Sequence, residues 1–163
     1  MKFLHVGCGY HDKTQTTDVF NTNDWDEVRL DIDKNVNPDI VSSITDMRVV
    51  EDKSFNAVYS SHNIEHLYAH EVPLALSEFR RVLTDDGFVF IRCPDLYTIA
   101  KHIVDGNVSK AMYESEAGPI TPIDALFGMR SFLVNNPYMA HKVGFTAELL
   151  VGTLKNNNFA NAV

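Results

Sequence analysis

Glycines, aspartates and histidines stand in this sequence at positions where they could do chemistry. Gly7-Cys8-Gly9 interrupts the apolar, β-favouring run Phe3-Leu4-His5-Val6, and glycines at such a break let the chain turn sharply and let a ligand approach the backbone. Asp31 lies near the end of the next apolar run, residues 27–33. Open α/β sheets bind their ligands at the carboxyl ends of the strands, so glycines after a first strand and an acid closing a second are the layout of a nucleotide pocket. Taken alone, Gly-x-Gly is equally an ordinary turn. Asp46, in Thr45-Asp46-Met47, is a second candidate ligand whose local sequence also suits a cap or a turn. His62, His66 and His70 recur every four residues with Glu65 between them. Such spacing on one helical face can hold zinc, yet neither His-Glu-x-x-His order nor a cysteine pair accompanies it, and Pro73 fits only the first turn of a helix that starts near His70. These histidines are therefore expected to hold no metal, with His66 hydrogen-bonded between loop and sheet and Glu65 in a loop or capping contact.

The elements that must position these residues alternate along the chain. Residues 3–6, 27–33, 39–44, 55–60 and 88–93 carry the branched and aromatic residues of strands. Val72, Ala75, Leu76, Phe79, Val82 and Leu83 share one face of a helix over 70–83, and Leu96, Ile99, Ala100, Ile103 and Val104 share one face of the next. Asp85-Asp86-Gly87 predicts a turn between helix and strand. Thr146 should cap a last helix bearing Leu149, Leu150 and Leu154, and residues 159–163 could begin a further strand. Residues 10–26 have no helical stripe, so the first crossover should be short or irregular. Strand, helix and strand in parallel order make an α/β, doubly wound sheet. Residues 107–143, broken by Gly118-Pro119, Pro122, Gly128 and Asn135-Asn136-Pro137, read as an insertion or lid.

At 163 residues and 45% hydrophobic content the chain is expected to be a single domain, 1–163. A net charge of −8 with 14 scattered Lys and Arg argues against nucleic acid as a partner. No run approaches the roughly 20 apolar residues of a membrane span, and the few residues before the glycines are too short for a signal peptide. A cytoplasmic protein with free thiols at Cys8 and Cys93 and no membrane partner is the expectation.

Six segments in order resemble class I S-adenosylmethionine (SAM) dependent methyltransferases, of the small predicted methyltransferase type 11-like kind found among sugar and cell-surface biosynthesis proteins. They are Val6-Gly-Cys-Gly9, Arg29-Leu-Asp-Ile32, Thr45-Asp46-Met47, the stretch from Ser60 to Leu67, the stretch from Glu78 to Pro94, and His141-Lys-Val-Gly-Phe-Thr146. The resemblance implies a Rossmann-like, mostly parallel sheet with flanking helices, in a minimal or C-terminally shortened form. It implies that the backbone of Gly7, Cys8 and Gly9 packs against the methionine part of SAM and that Asp31, followed by Ile32, accepts from the ribose hydroxyls. By the same resemblance Asp46 accepts from the adenine amino group with Met47 against the ring, and Ser61 and His62 line the methyl-donor end. The loop lacks the family's third glycine, Asp12 standing near its place.

The expected activity is methyl transfer to a small-molecule acceptor, of the saccharide or cell-surface precursor kind, with S-adenosylhomocysteine as product. A non-catalytic module that binds SAM or its product is the alternative. A nicotinamide dehydrogenase is disfavoured because Gly-x-Gly-x-x-Gly is absent. Residues 107–143 are the material available to cover the acceptor, and His62, Tyr138 and His141 are the candidates to take a proton from it, histidine being suited to this near neutral pH. An exposed strand over 159–163 would be expected to pair with a second subunit as a homodimer.

Overall fold

The computed structural model describes residues 1–115 and 118–163. Five parallel strands form one sheet in the order β3-β2-β1-β4-β5: β1 (Lys2–Val6), β2 (Asp26–Asp31), β3 (Ile40–Val41), β4 (Phe55–Ser61) and β5 (Leu83–Arg92). The central strand β1 is covered on both faces, which is why its apolar run is nearly continuous. Leu4 and Val6 face one layer with Val58 of β4, and there they meet Val72, Ala75, Leu76 and Phe79 of helix α1 (Val72–Val82). Phe3 faces the other layer with Ala57 and Tyr59, against Phe20 and Trp25.

Phe20 and Trp25 come from the first crossover, which forms only a short helical turn at Lys13–Gln15, capped by the Asp12 side chain. Two buried aromatics thus fill the space beside β1 that a crossover helix would occupy, as the lack of a helical stripe predicts. Helix α1 passes straight into β5. The turn expected at Asp85-Asp86-Gly87 is instead an irregularity within that strand, since Phe55 pairs with Leu83 but Ala57 pairs with Phe88. The third strand shrinks to two residues.

Helix α2 (Leu96–Val104) starts at Asp95, whose carboxylate accepts from the Tyr97 and Thr98 amides; helix α4 (Ala147–Asn156) starts at Thr146. The strand expected over 159–163 is not formed. After α4, Asn158 takes a left-handed conformation (φ 67°) that turns the chain back, and Phe159 and Ala162 pack on the main core. The sheet edges among the described residues are β3 and β5.

The segment 107–143 is not structureless. It contains a hairpin of β6 (Tyr113–Ser115) and β7 (Gly118–Ile120), helix α3 (Pro122–Phe127) and a helical turn at Pro137–Met139. Ile120 and Ala125 pack on Ile99 of α2 in a small core of their own. Among the described residues no helix is long and apolar enough to cross a membrane.

Candidate functional site

Carboxyl ends of parallel strands converge on the loop after β1. Gly7 and Gly9 both have positive φ, 63° and 55°, and the Gly7 amide donates to the Leu30 carbonyl at 2.8 Å. The two glycines differ in what surrounds them. A Cβ on Gly7 would press on the Asn63 side chain, whereas one on Gly9 would meet nothing within 4 Å, so Gly9 is the point where backbone stands open to a ligand. The buried Asp31 carboxylate accepts from the Gly9 amide through Oδ2 and from the Asp33 amide through Oδ1, each at 2.8 Å. Each oxygen keeps a further lone pair for a ligand hydroxyl.

Arg29 was not among the residues expected at the site. Its Nη2 donates to the Gly9 carbonyl at 2.7 Å, its Nε to the His11 carbonyl at 2.9 Å and its Nη1 to the Asn37 carbonyl at 3.1 Å. Two residues apart on β2, Arg29 and Asp31 hold the two polar groups of the same glycine. Strand alternation was the signal that could have paired them. Cys8 is buried, and burial pushes its thiol up to about 11, so it supplies backbone and bulk rather than a nucleophile. Ile32, half exposed, stands beside Asp31.

The adenine-side residues divide. Asp46 is exposed, and Arg48 holds it through Nε at 2.8 Å and Nη2 at 2.7 Å, keeping its carboxyl below the usual range. Met47 is wholly buried in the main core.

Past β4 the chain enters a helical turn, Ile64–His66, and ends of β4, β5 and α2 surround a cleft of about 360 Å³. His62, Arg92, Asp95, Thr98, His102 and Tyr113 supply polar groups to its lining. A cleft of about 280 Å³ lies between residues 90–95 and the start of α4. Neither is lined by the glycine loop or Asp31. Ser61 is the last residue of β4, half-buried, and precedes His62, which has a positive φ of 50° and a side chain 45% exposed.

The histidines do not follow their spacing. His70 is exposed and stacks on Tyr68, while His141 comes instead to His66, ring centroids 5.0 Å apart. His66 is bonded to the Ala140 carbonyl at 3.2 Å, so it ties the loop to the returning segment rather than to the sheet. Glu65, expected in a loop or capping contact, is 1% exposed with its Oε1 3.3 Å from His62 Nδ1. His141 Nδ1 bonds the Ala125 carbonyl at 2.8 Å, and burial lowers its pKa. Tyr138, 56% exposed on its own helical turn, lines neither cleft.

Comparison with known proteins agrees with this fold. The family model described as a methyltransferase domain matches residues 4–91. A SAM-dependent methyltransferase from Archaeoglobus fulgidus superposes with a TM-score of 0.60 at 16% identity, covering 98% of this chain and 61% of that one. A SAM-dependent methyltransferase from Methanosarcina mazei gives 0.59 at 14% identity, covering 96% and 78%. The Burkholderia thailandensis 1,6-didemethyltoxoflavin-N1-methyltransferase, solved with 1,6-didemethyltoxoflavin and S-adenosylhomocysteine bound, gives 0.54 at 12% identity, covering 96% and 59%. These likenesses concern the fold. The chain spans 57% and 61% of the length of two such matched structures, from Pyrococcus horikoshii and A. fulgidus. Comparison with curated proteins gives no match.

Proposed function

The chain belongs to the methyltransferase domain family, and we propose on that premise that it moves the methyl group of SAM to a small hydroxyl-bearing acceptor, of the saccharide or cell-surface precursor class. The observation that carries this is the Gly9 backbone, open to ligand and held by Asp31 at the carboxyl ends of β1 and β2. Methionine lies along Gly7, Cys8 and Gly9, ribose on Asp31 beside Ile32, and adenine toward Asp46. Ser61 and His62 stand at the methyl end. The acceptor's lone pair attacks the methyl carbon, the carbon–sulfur bond breaks, and its electrons neutralise the sulfonium to give S-adenosylhomocysteine. The donor is already activated, so the protein's part is to align nucleophile, methyl and sulfur and to receive a proton where the nucleophile is a hydroxyl.

The polar side chains that line the 360 Å³ cleft beside its apolar wall, His62, Arg92, Asp95, Thr98, His102 and Tyr113, support an acceptor that carries hydroxyls, and Met112, Tyr113 of the hairpin and Ala125 of α3 stand in its wall. Of the three side chains considered as proton acceptors, His62 is the one that lines it. Calorimetry with S-adenosylhomocysteine, followed by mass spectrometry of a panel of glycans and small hydroxylated acceptors incubated with SAM, tests the reading. Binding with a 14 Da gain on an acceptor supports it. Binding without turnover on any acceptor leaves a module that only holds the donor, and no binding overturns the donor site itself.

A further inference from the structure

Glu65 presents a buried carboxylate that no hydrogen bond satisfies among the described residues, with His62 Nδ1 standing 3.3 Å from its Oε1. The residue is 1% exposed. A carboxylate in that state is costly unless a cation or a donor completes it. His66 and His141 stand beside it, and one ligand atom from each of the three lies within 4.8 Å of the others.

Both rings are held in place by backbone carbonyls. His66 Nδ1 lies 3.2 Å from the Ala140 carbonyl and His141 Nδ1 lies 2.8 Å from the Ala125 carbonyl. A carbonyl only accepts, so each Nδ1 carries the hydrogen and each neutral ring has Nε2 left with a lone pair. Imidazoles that bind metals are held in this way by their second nitrogen. The backbone fixes the frame as well, because the Lys142 and Val143 amides donate to the Glu65 carbonyl at 2.8 and 3.3 Å and the His141 amide donates to the Phe127 carbonyl.

We infer that Glu65, His66 and His141 form a binding site for a first-row divalent metal ion, with Zn²⁺ the best fit to two imidazoles and one carboxylate. Donors about 2.0–2.1 Å from a tetrahedral ion stand roughly 3.4 Å apart, so contraction by up to about 1.4 Å completes the set. Three protein ligands leave a coordination position free, the arrangement of a reactive rather than a purely structural site. His62, in contact with Glu65, also lines the cleft, so the cluster borders the proposed acceptor space. In the methyl-transfer reading, on which this role alone rests, an ion there would hold an acceptor oxygen and ease loss of its proton.

The test uses the full chain, stripped with chelator and free of SAM and acceptor, so that it stands or falls apart from methyl transfer. Calorimetric titration with Zn²⁺ should show one ion per chain, and Co²⁺ should develop visible absorption bands that Zn²⁺ abolishes. Glu65→Gln and His141→Gln should each weaken Zn²⁺ binding roughly 100-fold or more, since loss of an outer partner alone costs about 10–100-fold. His70→Ala, which removes the exposed histidine of the four-residue series, should leave it unchanged. Absence of stoichiometric binding to the parent, or parental affinity in Glu65→Gln, would overturn the site and leave Glu65 a buried residue beside His62. Should the variants not fold, the parent's Co²⁺ spectrum decides alone: bands displaced by Zn²⁺ support the site, and their absence overturns it.

Discussion

Gly7 and Asn63 are packed so closely that a Cβ on the glycine would lie 2.7 Å from both the Nδ2 and Oδ1 of the asparagine. Two costs therefore coincide at Gly7, the positive φ of 63° and the side chain above it, while Gly9 bears only the first. Gly7→Ala should destabilise the protein by about 2 kcal/mol or more and Gly9→Ala by about 1 kcal/mol, the ordinary penalty of a left-handed residue. Urea unfolding measures both. Adding Asn63→Gly to Gly7→Ala should recover the steric part alone. In ligand binding the order should reverse, because the Gly9 methyl would enter the space assigned to the donor.

The Arg29 and Asp31 grip on Gly9 predicts that a residue with no place at the ligand still governs affinity. Asp31→Asn should weaken S-adenosylhomocysteine binding by about 1–3 kcal/mol through the loss of charge-assisted hydrogen bonds. Arg29→Met should weaken it too, by freeing the carbonyls of Gly9, His11 and Asn37. Calorimetry on the two variants checks this. An Arg29→Met protein of parental affinity would show that the loop keeps its shape without the guanidinium.

Asp46 and Arg48 form an exposed pair, and such pairs contribute little, about 0–1 kcal/mol. Asp46→Ala should therefore leave the melting temperature near the parent's while lowering affinity for the donor. Equal affinity would make Asp46 only a partner of Arg48.

Glu78 and Arg81 give a pH signature. The Arg81 guanidinium, 2.7 Å from Oε1 and 2.8 Å from Oε2, holds the Glu78 carboxyl below its usual range. Below the unfolded value of about 4.3 the unfolded chain takes up the proton first. This contribution to stability is thus fully present above that pH and is lost as pH falls through the lower folded value. In denaturant titrations the stability gap between the parent and Glu78→Gln should be constant above about pH 5 and narrow in acid. A gap unchanged down to pH 3 would place the stabilisation elsewhere.

How much of this could be read beforehand depended on the range of the interaction. Helices α1, α2 and α4 were legible because Leu76 and Phe79, Ile99 and Ile103, Leu150 and Leu154 recur with the helical period, and β1 because Phe3 to Val6 is buried on both sides. Residues 159–163 were misread because β-favouring types at Phe159 and Val163 say nothing of the Asn158 turn that precedes them. The glycines and Asp31 were legible as a local pattern, but Arg29 was not, since its partners are carbonyls that any residue could supply. The Glu65 cluster was hidden for another reason. The four-residue spacing pointed from His66 to His70, but the helical turn ends at Leu67, and His141 arrives from a distant part of the chain through backbone bonds to Glu65.

The small core of Ile99, Ile120 and Ala125 is separate from the core beneath the sheet. A unit resting on so little apolar contact can open without the rest of the molecule unfolding. Amides of the hairpin and α3 should accordingly exchange with deuterated water through a local opening, well before those of β1 and β4 exchange through global unfolding. The wall of the proposed acceptor cleft and the proposed donor loop would then belong to different cooperative units. Acceptors of different size could be admitted by shifting the population of the first, at no cost to the second.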